Sequence, residues 1–304
     1  MKKIFLMVKV LIIGSGSIGK RHYRILNNMC NNVKIYSRRE KQYKNLSECI
    51  KQFNPNYAVV ATETSSHFNI TSQLVSEKIP LILVEKPVFH KNNLNFDSKD
   101  SIIKVGYNMR FNPFLNLLKE KIKNQKIFSV QVYTGQYLPL WRPQEDYKNT
   151  YSTDINLGGG VLNDLSHELD YLQWLFGPCN SLVALGGHFS NLYGDSDDVF
   201  SLIMSFKKCK IVSVQLNYLH NPIQRELIVN TSQKTFQIDF SNKVFLENGI
   251  EIPVNDFERD FSYIEQHKDI ITNNGSQTCS LSESINTLNL IDAARKSSKN
   301  NKWI

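Results

Sequence analysis

Three short stretches of this 304-residue chain carry residues whose types and spacing could do chemistry. They are a glycine-rich turn over residues 14–19, a Glu-Lys-Pro sequence over residues 85–87, and an acidic stretch with one histidine over residues 164–170. A glycine-rich turn ahead of a helix can bind a phosphate group. A desolvated lysine can donate or accept a proton, and an imidazole that a carboxylate orients can act as a general base. These stretches are therefore the candidates for phosphate binding and proton transfer.

The glycine-rich turn fits the spacing G-x-G-x-x-G, reading Gly14-Ser15-Gly16-Ser17-Ile18-Gly19. It follows an apolar run over residues 8–13, typical of a strand buried on both faces of a parallel sheet, and it precedes a predicted helix over residues 18–27. In this motif the first glycine permits a tight turn, the second lets a pyrophosphate approach the backbone, and the third lets helix and strand pack closely. The order of strand, turn and helix predicts a dinucleotide-binding fold, with a chance glycine turn as the alternative.

The residues at the end of the second predicted strand, over residues 33–37, bear on which dinucleotide binds. An Asp or Glu is expected there for NAD, because a carboxylate accepts hydrogen bonds from the ribose hydroxyls. This chain instead has Ser37, Arg38 and Arg39. A hydroxyl and two guanidinium groups suit a 2′-phosphate, since arginine binds phosphate through paired charge-assisted hydrogen bonds. The sequence therefore favours NADP over NAD, unless both arginines simply lie in a solvated turn.

A polar loop follows the third predicted strand, over residues 57–62. It runs from Thr62 to His67. In a doubly wound sheet such a loop lies at the carboxyl end of its strand, beside the cofactor. We therefore expect Thr62 and His67 at the cofactor, with His67 either contacting the nicotinamide ribose or serving as a polar residue in the first turn of a helix.

The fourth predicted strand, over residues 81–84, ends in Glu85, Lys86 and Pro87. The proline fixes the backbone, so Lys86 should project into the cleft where the nicotinamide lies. There the lysine can donate or accept a proton, and Glu85 can set its orientation or charge. A surface ion pair is the alternative for this Glu-Lys pair.

The third stretch begins with glycines 158–160 and contains Asp164, His167 and Asp170. One predicted helix runs through all three until a Gly-Pro pair ends it. The spacing of three places these side chains near one face of that helix, so that a carboxylate can orient the His167 imidazole. An amphipathic helix whose polar groups cap its start or face solvent is the alternative. Because His-Glu-x-x-Tyr lacks the second histidine of a zinc-binding His-Glu-x-x-His, we predict no metal site.

Strands and helices alternate in the first part of the chain, which is the pattern of a doubly wound parallel sheet. The predicted strands are 8–13, 33–37, 57–62, 81–84 and 102–107, and the predicted helices are 18–27, 46–53, 94–100 and 114–122. Later, apolar residues alternate as in antiparallel strands over 128–133, 199–206, 211–217, 226–230, 235–240 and 244–246, and two helices follow over 257–272 and 281–298. The predicted fold class is α/β, with a Rossmann-type parallel sheet in domain 1–122 and a mostly antiparallel open sheet in a second α/β domain, 123–304.

Charge and composition exclude several classes of protein. The net charge of +8 comes from scattered lysines without a basic stripe that alternates with aromatic residues, so we predict no nucleic-acid partner. The five cysteines are odd in number and lack a C-x-x-C pair, which indicates reduced thiols. No apolar run reaches the roughly 18 residues that cross a bilayer. The sequence therefore predicts a cytoplasmic protein without a membrane partner.

The order of the motifs is more specific than any one of them. GSGSIG, EKP, YNMRFNP and GGGVLNDLSHELDYLQWLFG follow one another along nearly the whole chain, and this order resembles the Gfo/Idh/MocA family of NAD(P)-dependent oxidoreductases. The stretch QYLPLWRP over residues 136–143, with Tyr147 and Tyr151 after it, is similar to a subgroup that works on sugars for bacterial surface polysaccharides.

The resemblance implies hydride transfer at a carbon of a sugar or nucleotide-sugar. Lys86 would be the catalytic lysine of the family, and His167 would be the general acid/base with Asp164 as its partner. Many members place an Asp four residues before the histidine, where this chain has Asn163. Which of Asn163 and Asp164 faces the substrate therefore stays open.

The resemblance also implies a substrate site and an assembly. The family's second domain often forms dimers or tetramers through its open sheet, so we expect a homodimer or homotetramer. An arginine in the substrate site could clamp a phosphate or carboxylate, and a tryptophan could stack on a sugar face or a base. The candidate substrate contacts, each of which could instead serve packing, are Tyr107, Arg110, Trp141, Arg142 and Tyr147.

Two other functions are compatible with the same residues. A lyase, epimerase or glycosidase of the same family oxidises its substrate transiently and returns the hydride, so that the cofactor is unchanged overall. A regulator that binds NADP without catalysis is the other alternative, although it would have no need for Lys86, Asp164 and His167.

Overall fold

The computed structural model describes residues 5, 7–38, 43–90 and 96–304. The chain forms two compact units, and neither is a single stretch of sequence. The first combines the residues up to Phe111 with Phe257–Ile285, and the second combines Asn112–Asp256 with Asn286–Ile304. The predicted domain boundary after residue 122 stays a prediction, but by compactness helix 113–122 belongs with the second unit.

The first unit contains a five-stranded parallel sheet. Its strands are β1 (Lys9–Ile13), β2 (Asn32–Tyr36), β3 (Tyr57–Val60), β4 (Leu81–Val84) and β5 (Ile102–Val105). They lie in the order β2-β1-β3-β4-β5, so the winding direction reverses between β1 and β3. Apart from the exposed Lys9 and the buried Tyr57, the central strands consist of Val, Ile, Leu and Ala, and nearly all of these residues are buried, as in parallel strands covered by helices.

The helices of the described residues are numbered here along the chain. They are α1 (Ser17–Met29), α2 (Leu46–Phe53), α3 (Thr64–Ser76), α4 (Pro113–Ile122), α5 (Val161–Asp164), α6 (His167–Phe176), α7 (Phe261–Asn273) and α8 (Leu281–Asn300). Helices α1, α2, α3 and α7 belong to the first unit, and α4, α5 and α6 to the second. The helix predicted over 94–100 begins among residues outside the described ranges, and residues 96–100 form no helix.

Helix α7 completes the core of the first unit although it lies far along the chain. Its Ile270 and Ile271 join the same buried apolar cluster as Val10 and Ile12 of β1. Just before α7, Asp260 forms ion pairs with two arginines of α1, at N–O distances of 3.5 and 2.5 Å. A late segment of sequence is therefore a structural part of the dinucleotide-binding unit.

The second unit contains an eight-stranded sheet. Its strands are β6 (Ile127–Gly135), β7 (Cys179–Gly187), β8 (Val199–Phe206), β9 (Val212–Asn217), β10 (Gln224–Thr231), β11 (Thr235–Asp239), β12 (Val244–Glu247) and β13 (Ile250–Glu251). They lie in the order β13-β12-β11-β10-β6-β9-β8-β7, and every pair is antiparallel except β6 with β9. Alternate residues of β8 are buried while Ile203, on its other face, is exposed.

These two sheets confirm the predicted fold class. Most predicted strands fall within a few residues of the observed ones, but β7 and the short β13 were not predicted. Strand β7 ends in two glycines, which weaken the strand pattern in its sequence. Within the described residues, no helix is both long enough and apolar enough to span a membrane.

Candidate active site

The glycine turn of the first unit is shaped by two of its three glycines. Gly14 has a φ of +114°, and a Cβ there would lie 2.3 Å from the carbonyl oxygen of Ala61. A Cβ on Gly19 would lie 2.1 Å from the carbonyl oxygen of Gly14. Both positions therefore exclude any larger residue, because the turn packs against the end of β3 and against α1.

The middle glycine of the turn is different. A Cβ on Gly16 would meet no atom within 4 Å, and its φ of −70° is open to any residue. Gly16 is also the N-cap of α1, and it offers no side-chain cap to the first N–H groups of the helix. An open position in front of uncapped N–H groups at the positive end of a helix dipole fits a pyrophosphate.

A second helix begins on the neighbouring strand. Helix α3 follows β3, and its N-cap, Glu63, makes no side-chain cap either. Since β1 and β3 are the strands between which the winding reverses, the two helix starts lie at the position where doubly wound sheets bind their ligands. The first unit therefore fits a dinucleotide at this edge of its sheet.

The end of β2 is tied to the glycine turn. Ser15 Oγ donates a hydrogen bond to Oγ of the buried Ser37 at 3.0 Å. Arg38 is exposed, and it is close enough to Glu63 to act on it: burial would raise the pKa of Glu63, but local hydrogen bonds and the Arg38 charge lower it. Arg39 lies outside the described residues.

His67 holds two loops of this edge together. Its ring is buried, with Nδ1 at 3.1 Å from the carbonyl oxygen of Pro87 and Nε2 at 3.1 Å from that of Thr62. Burial lowers the pKa of the imidazole, although both carbonyl contacts oppose the shift. The geometry matches the interpretation of His67 as a polar residue in the first turn of its helix, and its contact with the cofactor stays a prediction.

The Glu-Lys-Pro turn leaves the end of β4, as predicted. Glu85 is buried and Lys86 is half-buried. The Lys86 backbone N–H donates to Oε2 of Glu85 at 3.3 Å. A Cβ on Gly106, just after β5, would lie 2.7 Å from Oε1 of Glu85, so this glycine keeps room for the carboxylate.

Two of the predicted substrate contacts are buried within the first unit. They are Tyr107 and Arg110. The guanidinium of Arg110 donates from Nη1 to Glu283 Oε1 at 2.9 Å. Glu283 also accepts from the backbone N–H of Ser280 at 2.8 Å and so caps the start of α8. The structure thus gives Arg110 a role in packing, and contact of either residue with a substrate stays a prediction.

The acid–histidine stretch in the second unit is not one helix, and that prediction is wrong. Helix α5 ends at Asp164 and α6 begins at His167, with two non-helical residues between them. The argument that a spacing of three puts both side chains on one helix face therefore does not hold for this pair. It does hold for His167 and the buried Asp170, which share α6.

Asn163 secures the glycines that precede α5. Its Nδ2 lies 3.0 Å from the carbonyl oxygen of Gly158 and 3.1 Å from that of Gly159, and it donates to both. Gly160 has a φ of +110°, and a Cβ there would lie 2.6 Å from Asp197 Oδ1. The Asn163 amide nitrogen is thus used within the turn, and this favours Asp164 over Asn163 as the residue that serves a substrate.

Asp164 accepts hydrogen bonds from phenols. Tyr218 donates to Oδ2 at 2.7 Å. The Asp164 charge, followed by burial and a hydrogen bond to the same carboxylate, raises the pKa of Tyr151. Burial and then the Asp164 charge raise the pKa of Tyr218 well above its usual value. Both phenols therefore stay protonated at neutral pH and are able to donate.

Two predicted substrate residues reach this cluster through its tyrosines. Trp141 packs edge-on against Tyr218, with ring centroids 5.3 Å apart, and the Arg142 guanidinium lies 5.5 Å from the Tyr151 ring centroid. The Trp141 indole N–H is buried and has no hydrogen-bond partner among the described residues. We call Asp164, Tyr151, Tyr218, Trp141 and Arg142 the Asp164 cluster.

Tyr147 and Tyr218 differ in their relation to the Asp164 cluster. The Tyr147 hydroxyl accepts from the Tyr193 backbone N–H at 3.2 Å, and contact of Tyr147 with a substrate stays a prediction. Tyr218 belongs to the cluster but was missed. The available signal was its position directly after the alternating strand β9, which says nothing about a partner 54 residues earlier.

Comparison with known families decides the identity of the fold. Residues 8–95 match the model of the GFO_IDH_MocA oxidoreductase family, NAD-binding Rossmann fold, and residues 119–304 match the model of the C-terminal alpha/beta domain of that family. The chain belongs to the Gfo/Idh/MocA oxidoreductase family. The resemblance drawn from the motif order is thereby confirmed.

Solved structures share the fold of this Gfo/Idh/MocA member over nearly its whole length. GenD2 from gentamicin A biosynthesis, in complex with NAD, gives a TM-score of 0.81 at 18% identity over 99% of this chain and 97% of its own. The WlbA dehydrogenase from Bordetella pertussis, in complex with NADH and UDP-GlcNAcA, gives 0.79 at 16% identity over 98% of both chains. UDP-N-acetylglucosamine 3-dehydrogenase GnnA from Acidithiobacillus ferrooxidans gives 0.76 at 14% identity over 96% of this chain and 98% of its own. A sequence comparison with the curated proteins gives no match.

Proposed function

We propose that this oxidoreductase transfers a hydride between a nicotinamide dinucleotide and a hydroxyl or keto carbon of a sugar or nucleotide-sugar. The observation that carries the proposal is the open position at Gly16 in front of the uncapped start of α1, within an NAD-binding family fold. Neighbours of the same fold support the substrate class, since GnnA is named as a nucleotide-sugar dehydrogenase and WlbA was solved with UDP-GlcNAcA. A role in surface-polysaccharide synthesis, in the cytoplasm, is part of the proposal.

The cofactor would be held by the first unit. The residues are Gly14, Ser15, Gly16, Ser17, Ile18 and Gly19 at the pyrophosphate, Ser37, Arg38 and Arg39 at the adenosine ribose, and Thr62, His67, Glu85 and Lys86 towards the nicotinamide. The nicotinamide, when bound, supplies the acceptor or donor of the hydride. NADP is the preferred cofactor, because β2 is followed by a serine and an exposed arginine rather than by a carboxylate.

The proton is handled by side chains of this chain. Lys86, as a cation at the carboxyl end of β4, would stabilise the negative charge that develops on the reacting oxygen. His167, at the start of α6, would remove the hydroxyl proton in the oxidative direction and return it in the reductive one. Asp164 would orient the reacting groups while Tyr151 and Tyr218 keep its carboxylate in place.

The substrate would bind to the Asp164 cluster of the second unit. Trp141 offers a flat ring for a sugar face or a base, and its buried N–H needs an acceptor that the described residues do not supply. Arg142 can bind a phosphate or carboxylate of a nucleotide-sugar. The exposed Ile203 and Leu185 on the open face of the eight-stranded sheet support a homodimer or homotetramer through that face.

The first experiment is a titration of the purified protein with NADPH and with NADH, followed by nicotinamide fluorescence. Tighter binding of NADPH, lost in Arg38→Ala but kept in the matched control Lys51→Ala, supports the NADP assignment. Equal or tighter binding of NADH would contradict the preference for NADP. Absence of binding to either contradicts the proposal.

A second assay separates net oxidoreduction from a catalytic cycle. Nicotinamide absorbance at 340 nm is followed during incubation with a panel of UDP-sugars, and the sugars are analysed afterwards. A change in absorbance supports the dehydrogenase. An altered sugar with constant absorbance indicates a lyase, epimerase or glycosidase instead.

A further inference from the structure

A line of hydrogen bonds crosses the interior of the first unit. The Tyr57 hydroxyl lies 2.8 Å from Nδ1 of His267, and Nε2 of His267 lies 2.8 Å from Nδ1 of His22. On its other side, Nε2 of His22 lies 2.9 Å from Oε1 of Glu85. We call Tyr57, His267, His22 and Glu85 the buried chain. Its members come from β3, α7, α1 and the end of β4, and the reaction proposed above uses only the last of them.

Every member of the buried chain is shut off from water. Tyr57, His267 and His22 are 0% exposed, and Glu85 is 7% exposed. Burying such polar groups costs free energy unless each makes a hydrogen bond, and all four members of this line have a partner. The line would not exist without α7, whose segment follows β3 by some 200 residues in sequence.

The direction of the hydrogen bonds is assigned from the two ends of the line, with the Tyr57 hydroxyl as a donor and the Glu85 carboxylate as an acceptor. Burial and then the neighbouring His22 lower the pKa of His267 well below its usual value, so its ring is neutral. Assigning hydrogens from the network, Tyr57 O–H donates to His267, His267 Nε2–H donates to His22, and His22 Nε2–H donates to Glu85. All donors then point the same way, towards the carboxylate.

The buried chain ends at the Glu-Lys-Pro turn. Oε1 of Glu85 receives the His22 donor, while Oε2 accepts the backbone N–H of Lys86 at 3.3 Å. Gly106 also packs against the Glu85 carboxylate, since a Cβ at this glycine would lie 2.7 Å from Oε1. The carboxylate is therefore held from several sides, and its contact with the Lys86 backbone N–H fixes the peptide from which the lysine side chain extends.

Other charged and titratable groups pack around the buried chain without being part of it. The Tyr263 ring meets the His22 ring edge-on, with centroids 5.6 Å apart, and Arg21 lies over Tyr263. Asp260 faces α1 from the start of α7, and Cys30 is near enough to Tyr57 to raise the pKa of that phenol, after burial and together with Glu85. The Tyr263 phenol therefore lies in the same surroundings but is not a member of the line of hydrogen bonds.

We propose that Tyr57, His267 and His22 are positioning residues for Lys86, acting by holding the Glu85 carboxylate beside it. The proposal rests on the role given to Lys86 under the proposed function. It extends that role inward, to three residues that touch neither cofactor nor substrate.

The test measures the lysine itself and needs no substrate. The protein is labelled with trace acetic anhydride across a pH series, and mass spectrometry of the peptide that contains Glu85-Lys86-Pro87 gives the labelling rate of Lys86. The quantity compared is the pH at which that rate is half its maximum. The exposed Lys210 of the second unit serves as the internal reference.

Glu85→Gln sets the scale, because it removes the negative neighbour of Lys86 and should lower the half-maximal labelling pH by about one pH unit. His22→Phe should lower it by a smaller amount, since the carboxylate then loses the donor that holds it in place. His22→Gln keeps an N–H donor and should restore the wild-type value. Tyr57→Phe, which weakens the line at its far end, should give a smaller drop in the same direction.

Tyr263→Phe is the matched control, and it should leave the labelling curve unchanged. If His22→Phe and Tyr57→Phe both keep the wild-type curve while Glu85→Gln shifts it, the buried chain is merely structural and the inference is overturned. Should His22→Phe fail to fold, Tyr57→Phe still decides the matter, because the proposal predicts a drop for it and a merely structural role predicts none.

A separate arm tests the proposed function on which the inference rests. Saturating NADP⁺ is added to the wild-type protein, and it should protect Lys86 but not Lys210 from acetylation. Lack of protection counts against the cofactor site, whatever the variants show. Protection together with unchanged curves in the variants counts against the buried chain alone.

Discussion

Two carboxylates, one in each unit, are both held by hydrogen-bond donors, and the donors differ in kind. Glu85 accepts a hydrogen bond from the nearer of two linked imidazoles, and the farther imidazole contacts a buried phenol. Asp164 accepts hydrogen bonds directly from phenols, and a half-buried tryptophan and an arginine lie around these phenols. The first arrangement runs into the core, whereas the second presents groups that a ligand can use.

The buried line at Glu85 suits the positioning of a side chain, whereas the Asp164 cluster suits the recognition of a ligand. A donor line whose members are all buried can only fix the group at its end. The Asp164 cluster has donors to spare, because the Trp141 N–H is still without a partner among the described residues. We therefore expect changes near Glu85 to act on turnover and changes in the Asp164 cluster to act on substrate binding as well.

Removing the Lys86 side chain should have the largest effect. Lys86→Met deletes the charge but keeps most of the volume, and turnover should fall by about 10³-fold. Dissociation constants for NADPH, measured by fluorescence, should stay within about twofold. A variant that keeps more than a tenth of wild-type turnover would contradict the role of Lys86.

The glycine turn allows structure and binding to be separated within one motif. Gly19→Ala places a Cβ 2.1 Å from a backbone oxygen and should lower the free energy of unfolding by about 2–3 kcal/mol. Gly16→Ala meets no atom in the protein, so its free energy of unfolding should change by less than about 0.5 kcal/mol. Its affinity for NADPH should nevertheless fall by at least about tenfold, as the methyl group occupies the pyrophosphate position.

Urea unfolding and fluorescence titration measure these two quantities on the same samples. Normal dinucleotide affinity in Gly16→Ala would show that the open position is not the pyrophosphate site.

On the substrate side, Tyr218→Phe removes one donor to Asp164. Hydrogen bonds to charged groups contribute about 1.5–3 kcal/mol, so kcat/KM for a UDP-sugar should fall by about 10- to 100-fold. Part of the loss should appear in KM. Tyr147→Phe is the comparison variant, since its hydroxyl accepts from a backbone N–H away from the cluster. Equal losses in both variants would mean that the cluster has no special role.

The pH dependence of folding should distinguish the two units as well. The pKa of His267 and that of His67 are lowered by burial, and both residues lie in the first unit. Below about pH 6.5 the unfolded chain binds protons that the folded state refuses, so their contribution is present above that pH and is lost as the pH falls. Each histidine should remove up to about 1.4 kcal/mol per pH unit.

Urea unfolding at pH 7.5, 6.5 and 5.5 measures this loss. His67→Gln should reduce the slope, and an unchanged slope would place the proton uptake elsewhere.

The sequence predicted features that lie within one stretch of the chain, and it missed contacts between residues that are far apart in sequence. The glycine turn, the Glu-Lys-Pro turn and five parallel strands follow from local patterns of a few residues each. The partners of the two carboxylates do not, because His267 lies 245 residues from His22 and Tyr218 lies 54 residues from Asp164. The break between α5 and α6 was also missed, since helical spacing across residues 161–176 carries no sign of two non-helical residues in the middle.

The late position of α7 has a consequence for how the protein is made. During synthesis the parallel strands of the first unit emerge first, but their core lacks Ile270 and Ile271, and His22 lacks its donor, until the segment after residue 256 has left the ribosome. A fragment cut after residue 122 would expose that apolar surface permanently. The surroundings of the Glu-Lys-Pro turn are thus completed by one of the last parts of the chain to be translated.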